Sequence, residues 1–115
     1  MKSCKLKEDY VKPIGLIAWE KGFAEKSAEV FATGFADDVV VEASVLRKPV
    51  VGIELASRFL WEAATTYESL IFTEHFGEGA YVCVQWEARA FGGKEIYGST
   101  ILHTNADNKI DHAII

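Results

Sequence analysis

The spacing of hydrophobic residues along the chain changes once, near Ser69. Before this point, apolar residues recur every three or four positions, which is the period of an amphipathic helix. After it, apolar and polar residues alternate, which is the period of a half-buried strand. The pattern therefore predicts a mainly helical N-terminal part followed by a C-terminal part made of β-strands.

Two helices are predicted at the start of the helical part. Pro13 suits the first turn of a helix, where its missing N–H has no partner to lose. Gly22 is placed to end that helix. A second amphipathic helix is predicted over residues 25–34. The apolar face of the first helix is expected to contain Ile14, Ile17, Ala18 and Lys21.

A strand and a third helix follow. Asp37 and Asp38 interrupt the helical spacing, and the β-branched run at 39–43 is predicted to be a strand. Residues 50–66 carry two adjacent apolar stripes at helical spacing. This third helix is therefore expected to be largely buried.

Four strands joined by short turns account for the rest of the chain. Glycine and asparagine clusters mark the turns, as expected for hairpin loops. Consecutive strands joined in this way form an antiparallel meander. The strands are predicted at 69–77, 80–91, 94–104 and 109–115, with turns at 77–79, 92–93 and 105–108.

Length and charge limit the functional classes. The 115 residues suffice for one domain, which we place at 10–115, after a flexible arm at 1–9. The net charge is −5 and there is no basic block, so nucleic acid is not an expected partner. No apolar run approaches the ~20 residues of a membrane span, so we expect no membrane partner. Cys4 and Cys83 lack metal-site spacing and favour a reducing, cytoplasmic location.

The chain resembles the nuclear transport factor two-like superfamily in three features. These are the order of its elements, the run from Phe35 to Val39 that leads into the first strand, and Gly52 before the third helix. The SnoaL-like and ketosteroid-isomerase-like branches are the most similar, over residues 10–115. The resemblance implies an α+β cone, in which a strongly curved antiparallel sheet packs against N-terminal helices in the order α-α-β-α-β-β-β-β. Its members include isomerases, hydrolases, cyclases and non-catalytic binders, so the fold does not name a reaction.

The catalytic residues of the isomerase-like branch do not carry over to this chain. The resemblance places the branch's aspartate base at Ala43 and its second acid at Thr100, while its helix tyrosine matches Trp19. Proton abstraction beside a carbonyl needs a base next to an acidic donor. Because both acids are replaced, we do not expect steroid-isomerase chemistry.

A pocket lined by apolar residues is the predicted ligand site. Trp86 lies mid-strand on the apolar face, and a buried indole needs a partner for its N–H. Concave sites of this kind are lined by the same residue types that fill cores, so a plain core role stays open. The predicted lining residues are Trp19, Phe59, Phe72, Val84, Trp86, Thr100 and Leu102.

Two carboxylates are candidate catalytic groups, depending on which strand face points inward. If the face that carries Phe72 points into the cone, Glu74 does too, whereas the opposite orientation would bury His75. Asp111 and His112 are adjacent on the last strand, so only one of them faces inward. Alignment on the preceding residues favours Asp111. The predicted catalytic residues are therefore Asp111 and Glu74.

Two functions from different classes remain open. One is a SnoaL-like isomerase, cyclase or hydrolase that acts on a small apolar molecule through an inward carboxylate, with Trp86 and Thr100 positioning the substrate. The other is a non-catalytic dimeric module that binds a ligand or a protein. The three histidines lack metal-site spacing, and no cofactor is expected.

A homodimer through the outer face of the sheet is also predicted, because that face combines apolar and polar residues. The alternative is that a β-bulge shifts the alternation and turns these residues into the interior of the cone. The apolar residues concerned are Ile71, Tyr81, Cys83, Tyr97, Ile101, Ile110 and Ile114.

Overall fold

The computed structural model describes residues 12–115, so the predicted arm at 1–9 lies outside the described residues. The order of elements is the predicted one with one short strand added before the third helix. The elements are α1 (Ile14–Glu25), α2 (Ala28–Thr33), β1 (Phe35–Glu42), β2 (Val50–Val51), α3 (Ile53–Thr66), β3 (Ser69–Glu78), β4 (Tyr81–Ala90), β5 (Lys94–Thr104) and β6 (Ile110–Ile114).

One curved, unclosed sheet contains all six strands, in the spatial order β2-β1-β6-β5-β4-β3. The four C-terminal strands form the predicted antiparallel meander. The sheet is mixed, however, because β1 pairs in parallel with β6 and β2 adds an antiparallel edge to β1. The predicted α+β cone is confirmed, with this parallel pair as the difference.

The helices pack on the inner face of the sheet, and the opposite surface is called the outer face below. No helix in the part of the chain from residue 12 to 115 is long and apolar enough to cross a membrane. The central core joins both layers and contains Leu16, Trp19, Phe31, Phe35, Val39, Val41, Ala56, Leu60, Ala64, Val82, Val84, Leu102, Ile110 and Ala113.

The buried face of α1 is the predicted one only at Ala18. Ile14 and Ile17 are 53% and 49% exposed. Gly22 does not end the helix, which ends instead at Lys26 in a left-handed conformation. A Cβ built on Gly22 would lie 2.5 Å from the Phe31 ring, so this glycine serves close packing. The buried residues of α1 are Gly15, Leu16, Ala18, Trp19 and Gly22.

The segment predicted as one helix over 25–34 is shorter than expected. Lys26 leaves the helical conformation, and Ser27 then caps α2 by accepting a hydrogen bond from the Val30 backbone N–H at 3.3 Å. The first strand begins earlier than predicted and includes Asp37 and Asp38, both exposed. An irregularity in the pairing of β1 with β6 accommodates this acidic pair.

A β-bulge in β3 shifts the alternation of that strand. Phe72 pairs with Trp86, but Glu74 pairs with the very next residue of β4, Gln85. Thr73 is therefore an extra residue in β3. Because the side-chain period of a strand is two, one extra residue reverses which side chains face inward.

Most of the predicted outer apolar residues do lie on the outer face, but Ile110 does not. Ile110 is only 1% exposed and packs in the core, because the pairing of β5 with β6 shifts register beside it. The large apolar residues exposed on the outer face are Ile71, Tyr81, Tyr97, Ile101 and Ile114.

A methyl group added at Gly15 should destabilise the fold, although alanine is the better helix former. A Cβ there would lie 2.7 Å from Ile110 Cγ1 and 2.9 Å from the Ile110 backbone nitrogen. We expect Gly15→Ala to lower the free energy of unfolding by about 1–3 kcal/mol, measured by urea denaturation. Ala24→Val, on the exposed side of the same helix, is the control for added volume. Equal stability of Gly15→Ala and the unmutated chain would contradict this packing.

Candidate functional site

A cavity of about 600 Å³ lies between α1, α3 and the inner face of β3, β4 and β5. We call it the cone cavity. Aromatic and aliphatic side chains form most of its wall. Its lining residues are Trp19, Phe23, Ala43, Ser44, Val45, Phe59, Leu60, Glu62, Ala63, Thr66, Tyr67, Leu70, Phe72, Trp86, Phe91, Ile96, Tyr97, Gly98, Ser99 and Ile115.

The cavity has a closed floor and an open mouth. Trp19 and Leu60 form the floor and are 2% and 0% exposed. Val45, in the loop after β1, and Phe91, in the turn between β4 and β5, are 82% and 72% exposed. The mouth therefore lies between this loop and this turn.

Four of the predicted lining residues contact the cone cavity: Trp19, Phe59, Phe72 and Trp86. The other predicted lining residues are also on the inner face of the sheet, but they lie where the helices cover this face completely. These fully buried residues are Val84, Thr100 and Leu102.

Trp86 is held in place by the strand beside it. Its indole Nε1 donates a hydrogen bond to Thr100 Oγ1 at 3.2 Å. Gly98 lies directly opposite Trp86 in the sheet, and a Cβ built there would overlap the indole ring. The indole thus lies against the backbone of β5. Thr100 serves as the partner of the indole and does not contact the cavity.

Neither predicted catalytic carboxylate lies in the cavity wall. The bulge at Thr73 places Glu74 opposite the exposed Gln85, on the outer face. Asp111 Oδ1 lies 2.5 Å from Nδ1 of His103 and also faces outward, because the register of β6 shifts at this point. The predicted inward orientation of both side chains is therefore wrong, because these two irregularities turn Glu74 and Asp111 outward.

His75 takes the inward position instead. It pairs with the buried Val84, and its Nε2 lies 3.3 Å from Glu20 Oε2 on α1. Glu20 also forms an ion pair with Lys12 at 2.8 Å. This polar group ties β3 to α1 and lies outside the wall of the cone cavity.

Tyr67 is a cavity residue that the sequence did not indicate. In the structure it follows α3 in an extended conformation, and its ring centroid lies 5.8 Å from that of Trp86. Partial burial raises the pKa of its phenol above the usual 10.0. The one sequence signal that could have indicated a cavity role for Tyr67 is that an aromatic residue stands at a helix–strand junction.

The interior of the cone cavity is uncharged. Among its described lining residues, Glu62 is the only charged one, and its side chain is 60% exposed at the mouth. It lies 3.8 Å from Arg58, one turn earlier in α3. Residues 12–115 also contain no group of three histidine, cysteine, aspartate or glutamate side chains arranged to hold a metal ion.

No protein-family model matches the sequence, and a search of curated proteins finds no match. Solved structures do match. A steroid delta-isomerase from Pseudomonas aeruginosa superposes with a TM-score of 0.78 and 20% identity, over 87% of this chain and 74% of that one. An NTF-2 like protein of unknown function from Burkholderia xenovorans gives a TM-score of 0.74 and 14% identity, over 87% and 77%.

A third structure has the ketosteroid isomerase-like fold and comes from Catenulispora acidiphila. It was determined in complex with trimethylamine and gives a TM-score of 0.72 and 17% identity, over 90% of this chain and 85% of that one. The chain has the nuclear transport factor two-like fold. At these identities the likeness establishes the fold and leaves the activity open.

Within this nuclear transport factor two-like cone, Ala43 contacts the cavity where the resemblance placed a catalytic aspartate. Thr100, where the resemblance placed the second acid, is buried against Trp86. Both positions therefore lack an ionisable side chain.

Replacing Thr100 tests its assignment as the acceptor for the Trp86 indole. Thr100→Val keeps the shape but leaves a buried N–H without a partner, which costs about 1–3 kcal/mol. We expect a changed chemical shift and faster hydrogen exchange of the Trp86 indole proton by NMR. Thr100→Ser keeps the acceptor and is the matched control. An unchanged indole signal in Thr100→Val would show that this hydrogen bond is absent in solution.

Proposed function

We propose that the cone cavity binds a small, neutral and largely apolar molecule. The observation that carries this proposal is a cavity of about 600 Å³ with a wall of mostly aromatic and aliphatic side chains and no charged side chain in its interior. This volume falls within the range of about 300–1,000 Å³ that is typical of sites for small molecules and cofactors.

The charge of the wall favours neutral ligands over anions. No lysine or arginine is among the described residues that line the cavity, and the single carboxylate side chain, that of Glu62, is at the mouth. Moving an ionised carboxylate or phosphate into an apolar site costs several kcal/mol unless a cation or several donors compensate it. An anionic ligand would therefore bind weakly.

Two of the solved structures with this fold support the proposal. The protein from Pseudomonas aeruginosa is a steroid delta-isomerase, and the protein from Catenulispora acidiphila holds trimethylamine. Neither a steroid nor trimethylamine carries a negative charge. Both neighbours are thus associated with organic molecules that carry no negative charge.

Binding without chemistry is favoured over a SnoaL-like isomerase, cyclase or hydrolase. A catalyst of those types needs a base and a stabilising donor that converge on the substrate. Glu74 and Asp111 face away from the cavity, and Glu62 is exposed beside Arg58. No described carboxylate therefore projects into the interior.

A second proposal is that two copies of the chain pair through the outer face. Cys83, Ile101 and Ile114 lie side by side in register across three strands. Tyr81, two residues from Cys83 on the same face of β4, extends this apolar row and is 59% exposed. Tyr97 is 67% exposed on the same outer face, but Ser99 separates it from Ile101. Contiguous apolar surface of this kind on a globular protein is typical of an interaction site. Both acidic and basic groups flank the row, so a two-fold arrangement of two chains can pair opposite charges. The flanking residues are Glu42, Glu87, Arg89, His103, Asp111 and His112.

We retain a cytoplasmic location as part of the proposal. It is supported by the low cysteine content, two residues in 115, with no spacing that suggests a disulfide framework.

Removing the Trp86 side chain should impair ligand binding more than folding. The probe is Nile red, a neutral apolar dye whose fluorescence rises in apolar sites. We expect Trp86→Ala to weaken Nile red binding at least about tenfold, which corresponds to 1.4 kcal/mol, with far-ultraviolet circular dichroism unchanged. Trp61→Ala is the matched control, because Trp61 is on α3 but not in the cavity wall. If Trp86→Ala unfolds the protein, and the fraction that stays folded still binds Nile red, then Trp86 is a core residue and not a ligand-binding residue.

The dimer proposal predicts a concentration-dependent mass above the 12.7 kDa of one chain in light scattering. Ile101→Lys places a charge in the centre of the apolar row and should give a monomer with intact helices. Leu55→Lys, at an exposed position on α3, is the matched control and should not alter the mass. A monomeric mass for the unmutated chain at micromolar concentration would exclude this interface.

A further inference from the structure

A second row of side chains runs beside the apolar row on the outer face. It consists of Tyr81, His103 and His112, which pair in register across β4, β5 and β6. We call it the histidine row. Each of its members is two residues from the member of the apolar row on the same strand, and side chains two residues apart share a face. A partner that covers the apolar row therefore also covers the histidine row.

Each histidine of this row contacts a carboxylate. His103 Nδ1 lies 2.5 Å from Asp111 Oδ1, and His112 Nε2 lies 2.5 Å from Glu42 Oε2 on β1. The ring of His103 also packs against Tyr81, with 4.6 Å between the ring centroids. The four side chains of the two pairs are between 26% and 47% exposed, so water reaches them in a single chain.

The other charged groups around the histidine row keep a constant charge near neutral pH. Glu78 on β3 pairs in register with Tyr81, and Lys109 is in the turn before β6. Glu87 and Arg89 are on the same face of β4, toward its other end. Among these types of side chain, histidine alone changes its charge between pH 8 and pH 6.

We propose that the pairing of two chains through the outer face is coupled to the uptake of protons by His103 and His112. This inference rests on the proposed dimer and names how that dimer is regulated. At pH 8 a neutral histidine leaves the negative charge of its carboxylate partner uncompensated, so each chain brings two such charges to the interface. At pH 6 the imidazolium balances the carboxylate, and each pair is neutral as a whole.

The sign of the effect follows from the loss of water when the rows are covered. An ionised carboxylate is far more costly to bury alone than as part of an ion pair. A two-fold arrangement also brings the same groups of both chains to one interface, where like charges repel. The dimer therefore binds more protons than two separate chains do. By linkage, association becomes tighter as the pH falls from 8 to 6.

Sedimentation equilibrium of the whole chain at pH 6 and pH 8, at equal ionic strength, tests this coupling. We expect the dissociation constant of the dimer to be at least about tenfold lower at pH 6. The double variant His103→Gln with His112→Gln can still donate a hydrogen bond to each carboxylate but cannot gain a charge. It should dimerise equally at both pH values, and as weakly as the unmutated chain at pH 8.

His75→Gln is the matched control, because the third histidine contacts Glu20 on the inner side of the sheet. It should keep the full pH dependence of the unmutated chain. Far-ultraviolet circular dichroism of each variant at both pH values verifies that the fold is intact.

Removing the two carboxylates should reverse the effect of pH. In the double variant Glu42→Gln with Asp111→Asn, no charge is left in the pairs at pH 8, whereas at pH 6 each imidazolium lacks its counter-charge. We expect this variant to dimerise more tightly at pH 8 than at pH 6. Hydrogen bonds that only support the fold would not produce such a reversal.

The outcomes separate the coupling from the dimer itself. Equal dimerisation of the unmutated chain at both pH values would overturn the coupling while leaving the dimer. A pH dependence that survives in His103→Gln with His112→Gln, or is lost in His75→Gln, would do the same. A monomer at both pH values and at micromolar concentration would overturn the proposed dimer.

Discussion

The close approach of α1 to the sheet is the constraint on which the rest of the structure depends. Gly15 presents no side chain, so the helix backbone lies directly against Ile110. The Gly15 N–H donates to the carbonyl of Asn108, and the Ile110 N–H donates to that of Gly34, both at 2.8 Å. These contacts join the helices to the start of β6. One turn further along, the same helix places Trp19 on the floor of the cone cavity.

The cavity wall largely satisfies its own polar groups. The Trp86 indole bonds Thr100, so its ring offers a ligand mainly apolar surface. Buried donors that are paired within the protein fix the shape of a site, whereas an unpaired donor is available for recognition. Tyr67 joins the same wall, because the chain reversal after α3 carries it there.

Most charged groups of the described sheet lie on its outer face or at the mouth of the cavity, and the His75–Glu20 pair between β3 and α1 lies outside the cavity wall. Asp111 meets His103, and Glu42 meets His112, both on the outer face. An ionised group in the interior would lose its hydration without a compensating partner. The consequence for function is that recognition in the cavity depends on shape, aromatic contact and single hydrogen bonds.

The sequence alone determined the order of the three helices and the five longer strands, and the resemblance that this order carries implied the cone fold. The helices and strands follow from hydrophobic periodicity and turn-forming residues, which act over a few positions of the chain. The same alternation predicted Trp86 as a pocket residue. Tertiary structure decided the rest. The extra residue Thr73 turns Glu74 outward, a register shift does the same for Asp111, and neither irregularity has a local sequence signal. The direction of Tyr67 depends on how α3 and β3 pack, which involves residues far apart in the chain. A bulge arises because it improves the fit between whole strands, so only the assembled sheet reveals which side chains reach the cavity.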